Sequence, residues 1–167
     1  MSFSIAGKTA IITGAANGVG LAIARHFEAQ GANVMFADMD EKRLRDELGD
    51  RVEDSNVRYF AGDMREKLAI ANLLSATLDA FDEVNILVNG ARQVVQSNAL
   101  DPDDDSVITL LNQNLMPALR LTQLVAKRMI KQSEAQEEGQ IGSIINLSSI
   151  AATQTQPELM GYSIAAA

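Results

Sequence analysis

The chain has no cysteine, no tryptophan, three prolines and only 4% aromatic residues across 167 positions. Without cysteine, a disulfide scaffold and a thiolate-ligated metal site are both excluded. Long hydrophobic runs are also missing. Each apolar stretch is broken by Gly, Asn or a charge well short of the roughly 18 residues that a membrane-spanning helix needs. The N-terminal Met-Ser-Phe-Ser-Ile-Ala-Gly-Lys has no basic segment followed by an apolar one, so no secretory signal is visible and a soluble cytoplasmic protein is expected. Positive charge is scarce. Fourteen Lys and Arg face 22 Asp and Glu, a net charge of −8 that repels polyanions and argues against a nucleic-acid partner. A small phosphate ligand stays open, because backbone N–H groups at a helix N-terminus bind anions whatever the net charge. What is present is a 47% hydrophobic chain of ordinary domain length, enough for one buried core over residues 1–167.

Short apolar runs alternate with longer amphipathic ones, and no repeat or low-complexity stretch interrupts them. Residues 9–13, 33–37, 57–61, 86–88 and 143–147 read as strands. Val19, Ile23 and Phe27, with Ala22 beside them, form the stripe of a first helix closed by Gly31. Segment 40–48 reads as a solvated helix carrying Glu41/Arg45 and Arg43/Glu47 at four-residue spacing. Helices are also expected over 65–81 and 106–130, with a polar surface loop over 132–140. Asp101, Asp103, Asp104 and Asp105 lack a metal-loop pattern and are expected to cap the long helix. His26, the only histidine, is expected to be a surface or packing residue, and Met35, Met116 and Met129 to fill core. Strands separated by helices give an α/β fold, a three-layer, doubly wound parallel sheet. In such sheets ligands bind beyond the carboxyl ends of the strands, where the strand order reverses.

The informative residues lie there. Directly after the first strand comes Thr13-Gly14-Ala15-Ala16-Asn17-Gly18-Val19-Gly20, opening a helix. Glycines at such a junction allow a tight turn, close approach of amides to a pyrophosphate, and close packing of helix on sheet. An ordinary strand-to-helix turn is the plain alternative. Asp38, ending the second strand, stands where a carboxylate would accept hydrogen bonds from ribose hydroxyls and repel a 2′-phosphate. No Arg or Lys follows it immediately, which favours NAD over NADP.

The spacing Thr-Gly-x-x-x-Gly-x-Gly resembles that of the short-chain dehydrogenase/reductase family, and later segments agree in order. Asp63-Met64 resembles the family's adenine-contacting pair. Asn89-Gly90-Ala91-Arg92 resembles its Asn-Asn-Ala-Gly motif, with Gly90 and Arg92 as departures. Asn114 matches the family's structural and catalytic asparagine. The run from Gly142 to Ser149 matches the strand that ends in the catalytic serine, and Tyr162 follows Ser149 at the family's spacing. The resemblance implies a Rossmann-type dinucleotide-binding domain. It also implies an NAD(H)-dependent oxidoreductase that interconverts a secondary alcohol and a ketone, assembled as a dimer or tetramer. Gly14, Asn17, Gly18, Val19, Gly20, Asp38, Asp63, Met64, Asn89 and Ala91 would hold the cofactor. Asn114, Ser149 and Tyr162 would be catalytic, with no metal.

The family's lysine, four residues after the tyrosine, is here Ala166. A tyrosine of ordinary acidity is ionised in roughly one molecule per thousand at pH 7, and forcing that ionisation costs about 4 kcal/mol. Arg92 is the nearest candidate for a replacement cation, a solvent-facing arginine or phosphate contact being the alternative. Within 153–161, Gln154, Gln156, Leu159 and Met160 face either substrate or solvent. The family fold continues with two further strands, so 1–167 is expected to be the N-terminal part of a longer fold. Two alternatives to the oxidoreductase stay open: a catalytically silent nucleotide-binding protein, and a methyltransferase using S-adenosylmethionine, in which Ser149 and Tyr162 would have no task.

Overall fold

The computed structural model describes residues 4–52, 56–134, 141–154 and 156–167. Five strands, β1 (Thr9–Thr13), β2 (Asn33–Asp38), β3 (Val57–Ala61), β4 (Ile86–Asn89) and β5 (Ser143–Asn146), form one all-parallel sheet in the order β3-β2-β1-β4-β5. The chain first winds outward from β1 to β3 and then returns to add β4 and β5 on the other side. The order therefore reverses between β1 and β4, and a crevice opens beyond their carboxyl ends.

Alternation along the strands makes the layers. Ala10 and Ile12 of β1, with Val34, Phe36 and Val88, pack on one face against α1 (Gly18–Ala29) and α2 (Glu41–Leu48). Ile11, Met35 and Leu87 point the other way, toward α3 (Lys67–Phe81) and α5 (Met116–Ser133). Phe36, Leu44, Leu73 and Leu87 are fully buried, each worth about 1.5–3 kcal/mol of transfer free energy. The sheet is thus the middle of three layers, as the alternation predicts. Among the described residues no helix is long and apolar enough to cross a membrane.

Several local expectations need correction. Val19 and Ala22 are exposed, so the buried side of α1 runs instead through Gly20, Ala24 and the partly buried Ile23 and Phe27. Arg43 does not pair with Glu47: Glu47 accepts from Arg25 at 2.6 and 2.7 Å, while Arg43 pairs with Asp40 and Glu41 with Arg45 as expected. At the start of α4 (Ser106–Leu110) the capping acid is Asp104, whose Oδ1 accepts from the Ser106 N–H at 2.9 Å; Asp105 makes no side-chain cap. His26 is exposed, and Met35 and Met129 are buried. Of the loop expected over 132–140, Gln132 and Ser133 finish α5, and 135–140 lie outside the described residues.

The expected single helix over 106–130 is interrupted. Residues Leu111–Leu115 form one π-helical turn, in which the Met116 N–H reaches back five residues to the Leu111 carbonyl. Pro117 supplies a cause. It has no N–H to give the carbonyl four residues back, and its ring crowds that carbonyl, so the chain widens before it. At the far end of α5, the Gln132 side chain accepts from the Val84 N–H at 3.1 Å and donates to the Val84 carbonyl at 2.9 Å. That double bond fixes α5 against the chain entering β4.

Candidate functional site

Beyond β1 the backbone turns under tight steric control. Gly14 has φ of +71°, and a Cβ there would lie 2.8 Å from the Gly90 and Ala91 backbone. A Cβ on Gly20 would collide with the Gly14 carbonyl oxygen. Only glycine lets α1 begin this close to the loop. The first-turn amides of α1 have no intrahelical acceptors, so Gly18, Val19 and Gly20 present N–H groups and the positive end of the helix dipole to an incoming anion.

The Thr13 hydroxyl ties the loop to the second half of the sheet. It donates to the Val88 carbonyl at 3.4 Å and accepts from the Gly90 and Ala91 N–H groups at 3.0 and 3.2 Å. Asp38 closes the other side. Its Oδ2 accepts from the Ala16 N–H and its Oδ1 from the Asp40 N–H, both at 3.0 Å. A carboxylate offers about four acceptor sites, so two stay available to hydroxyl donors. Asp63, after β3, is held in a fork by the Arg65 guanidinium, and that hydrogen bonding keeps its carboxyl below the usual pKa.

These elements bound a cleft of about 520 Å³. Gly14, Asn17, Gly18, Val19, Gly20, Asp38, Asp63, Met64 and Ala91 all line it. Asn89 does not. It is buried beneath the next cleft, its Nδ2 donating to Thr122 Oγ1 at 2.9 Å and Asn146 Oδ1 at 2.8 Å while its Oδ1 has no partner among the described residues.

The second cleft, of about 310 Å³, lies beyond β4 and β5. Asn114, Tyr162, Ser148 and Ala166 line it, and Ala91 and Arg92 line both clefts. Asn114 comes from the π-helical turn. Its side chain accepts from the Gln93 N–H at 2.8 Å and donates to the Gln93 carbonyl at 2.9 Å, clamping the loop after β4. Tyr162 sits in α6 (Met160–Ala166), 6% exposed, packed on Leu110 and Ala151. Ser149 is not among the residues lining this cleft. Its Oγ accepts from the Ala151 N–H at 3.3 Å and caps the turn Ile150–Ala152. The neighbouring Ser148 does line it, donating to the Ala166 carbonyl at 2.7 Å. The structure therefore brings Asn114 and Tyr162 to one cleft and leaves Ser149 beside it.

A family model for short chain dehydrogenase matches residues 8–166. The chain belongs to the short-chain dehydrogenase family. Its curated relatives include an uncharacterized oxidoreductase of Staphylococcus epidermidis, 31% identical over 143 residues, covering 86% of this chain and 58% of that protein. A short chain dehydrogenase/reductase of Colletotrichum higginsianum is 31% identical over 157 residues, covering 91% of this chain and 56% of that protein. Among solved structures, a Burkholderia phymatum short chain dehydrogenase/reductase in complex with NAD superposes with a TM-score of 0.84 at 26% identity, over 98% of this chain and 57% of that one. The chain spans little more than half the length of these relatives.

As a member of the short-chain dehydrogenase family, the chain has a Rossmann-like α/β fold and relatives named as oxidoreductases. Sequence reasoning placed Thr13 in the glycine motif without a role for its hydroxyl, and missed Ser148 and the Asn89–Thr122–Asn146 bonds. Thr13 carried a visible signal, a hydroxyl at the last position of a buried strand. Ser148 and Ser149 are adjacent serines, between which a spacing rule takes the second and leaves the first unread. Thr122 and Asn146 carried none, because their bonds join α5 and β5 to β4 only in the folded chain.

Proposed function

We propose that this short-chain dehydrogenase is an NAD(H)-dependent oxidoreductase that interconverts a secondary alcohol and a ketone. The observation that carries the proposal is the shared wall. Ala91 and Arg92 border both clefts, so a ligand lying along the first ends at the mouth of the second. The crowding at Gly14 and Gly20 and the two open acceptor sites on Asp38 fit a dinucleotide.

When bound, the nicotinamide supplies or accepts the hydride. Gly14, Asn17, Gly18, Val19 and Gly20 hold the pyrophosphate through backbone amides. Asp38 accepts hydrogen bonds from the adenine-side ribose hydroxyls, Asp63 and Met64 border the adenine, and Ala91 shapes the floor after β4, with Asn89 acting from beneath the second cleft. Asp38 and Asp40 both line the cleft and repel a 2′-phosphate, which favours NAD over NADP. In the second cleft the Tyr162 hydroxyl gives a proton to the substrate oxygen during reduction and takes it back during oxidation. Ser149 orients that oxygen once it turns toward the cleft, and Asn114 fixes the wall through Gln93. Residues 1–167 serve as the nucleotide-binding part of a longer fold, in a cytoplasmic homo-oligomer with small-molecule substrates.

The second reading, a silent nucleotide-binding protein, is favoured by Ala166, which puts a methyl group in the cleft with Tyr162. Two experiments test the pair. Turnover of NADH with a panel of ketones supports the enzyme, and binding without turnover on any of them contradicts it. Ala166→Lys then separates a site short of one cation, which gains turnover, from a remodelled one, which does not.

A further inference from the structure

The second cleft carries one charged side chain. Arg92 lines it, and no Asp, Glu, Lys or His is among the described residues that do. Five other arginines are tied to carboxylates, Arg25 to Glu47, Arg43 to Asp40, Arg45 to Glu41, Arg51 to Glu28 and Arg65 to Asp63. Arg120 and Arg128, which line neither cleft, donate to carbonyl and amide oxygens. Arg92 has no carboxylate at ion-pair distance among the described residues. Its contact is a long one, Nη1 donating to the Ser148 carbonyl at 3.4 Å. A guanidinium holds five N–H donors in a rigid fork, so most of this one is available. In a chain of net charge −8, an arginine without a carboxylate at the meeting of two clefts is an oxyanion receptor in waiting.

The first cleft offers the contrast. Asp38, Asp40 and Asp63 line it beside Arg92, and Arg65 is consumed by Asp63. The second has Leu115, Ala118 and Leu119 along its wall, an apolar surface suited to a short aliphatic chain. The geometry points to Arg92 as the group that recognises a carboxylate on the substrate. The cleft then takes a small hydroxy or keto acid, its carboxylate on the guanidinium and its reacting carbon toward Tyr162. This inference rests on the oxidoreductase proposal and names the substrate class.

The test titrates the purified protein, without cofactor and with saturating NAD+, which cannot reduce a ketone, by calorimetry with straight-chain 2-oxo and 3-oxo acids and with their methyl esters, NADH affinity being read separately by fluorescence. Acids are expected to bind about tenfold to a hundredfold more tightly than esters, the effect of charge-assisted hydrogen bonds. Arg92→Gln brings the acid-to-ester ratio close to one. Arg92→Lys keeps part of the preference, because the charge remains and the fork is lost. Esters binding as tightly as acids, or a ratio that survives Arg92→Gln, overturns the inference. So does a loss of NADH affinity in Arg92→Gln with the ratio intact, which assigns the arginine to a dinucleotide phosphate. If NADH does not bind, the oxidoreductase proposal fails separately, and the titrations without NADH still decide what Arg92 recognises.

Discussion

The centre of the sheet and its β5 edge are built by different means. Around β1, every strand residue is buried, and the turn that follows is fixed by backbone collisions at Gly14 and Gly20. Around β5, Tyr162 is held in a small cluster with Leu110 and Ala151. The nucleotide side is shaped by main chain and glycine. The substrate side is shaped by amide side chains that reach between distant segments, Asn114 to Gln93 and Asn89 to Asn146. Main-chain crowding leaves one arrangement, whereas side-chain clamps leave room for change. The departures Arg92 and Ala166 both line the second cleft, on the more permissive side.

The largest effect that separates the two regions is expected from Tyr162→Phe. Removing the proton donor lowers turnover by about 10²- to 10⁴-fold, while NADH affinity, read by nicotinamide fluorescence, stays as in the parent protein. A parallel fall in affinity would mean that the two clefts are not separable. Next comes Gly14→Ala, which forces a side chain into a left-handed conformation against the Gly90 and Ala91 backbone. We expect a loss of about 2–4 kcal/mol in stability by urea unfolding, together with weakened NADH binding. Stability close to that of the parent protein would show that the loop moves freely and that the comparison is drawn too sharply.

Much of the nucleotide side was legible because its signals are local. The buried run at Thr9–Thr13 carries its own hydrophobic signature, and the glycine turn follows it directly. The break at Leu111–Leu115 was not read, although Pro117 was there to signal it, because its other support is the Asn114 clamp on Gln93, 21 residues back. The acidic pattern of α2 predicted Glu41 with Arg45 and missed Arg25, whose approach to Glu47 needs α1 and α2 already docked. For the candidate site, Asp38 could be read from its place at the end of β2. The choice between Ser148 and Ser149 depends on which hydroxyl the turn after β5 consumes as a cap.

The smallest effect sits on the surface of the nucleotide side. Hydrogen bonding from Arg25 holds the Glu47 carboxyl below its ordinary pKa. A depressed folded-state pKa contributes stability that is full above the unfolded value near about 4.3 and is lost as pH falls through the folded value. Glu47→Gln should therefore cost about 1 kcal/mol or less at pH 7 and flatten the loss of stability below about pH 4.3. Thermal melts across that range check it, and an unchanged acid limb would remove the ion pair from the explanation.

The most direct measurement is a fluorescence titration of the purified protein with NADH and NADPH, repeated on Asp38→Ala. Two acceptor sites left open on a fixed carboxylate predict NADH binding that exceeds NADPH binding by about tenfold or more, with the preference erased in the variant. Equal affinity for both cofactors in the parent protein, or no binding of either, would contradict a nucleotide cleft closed by Asp38.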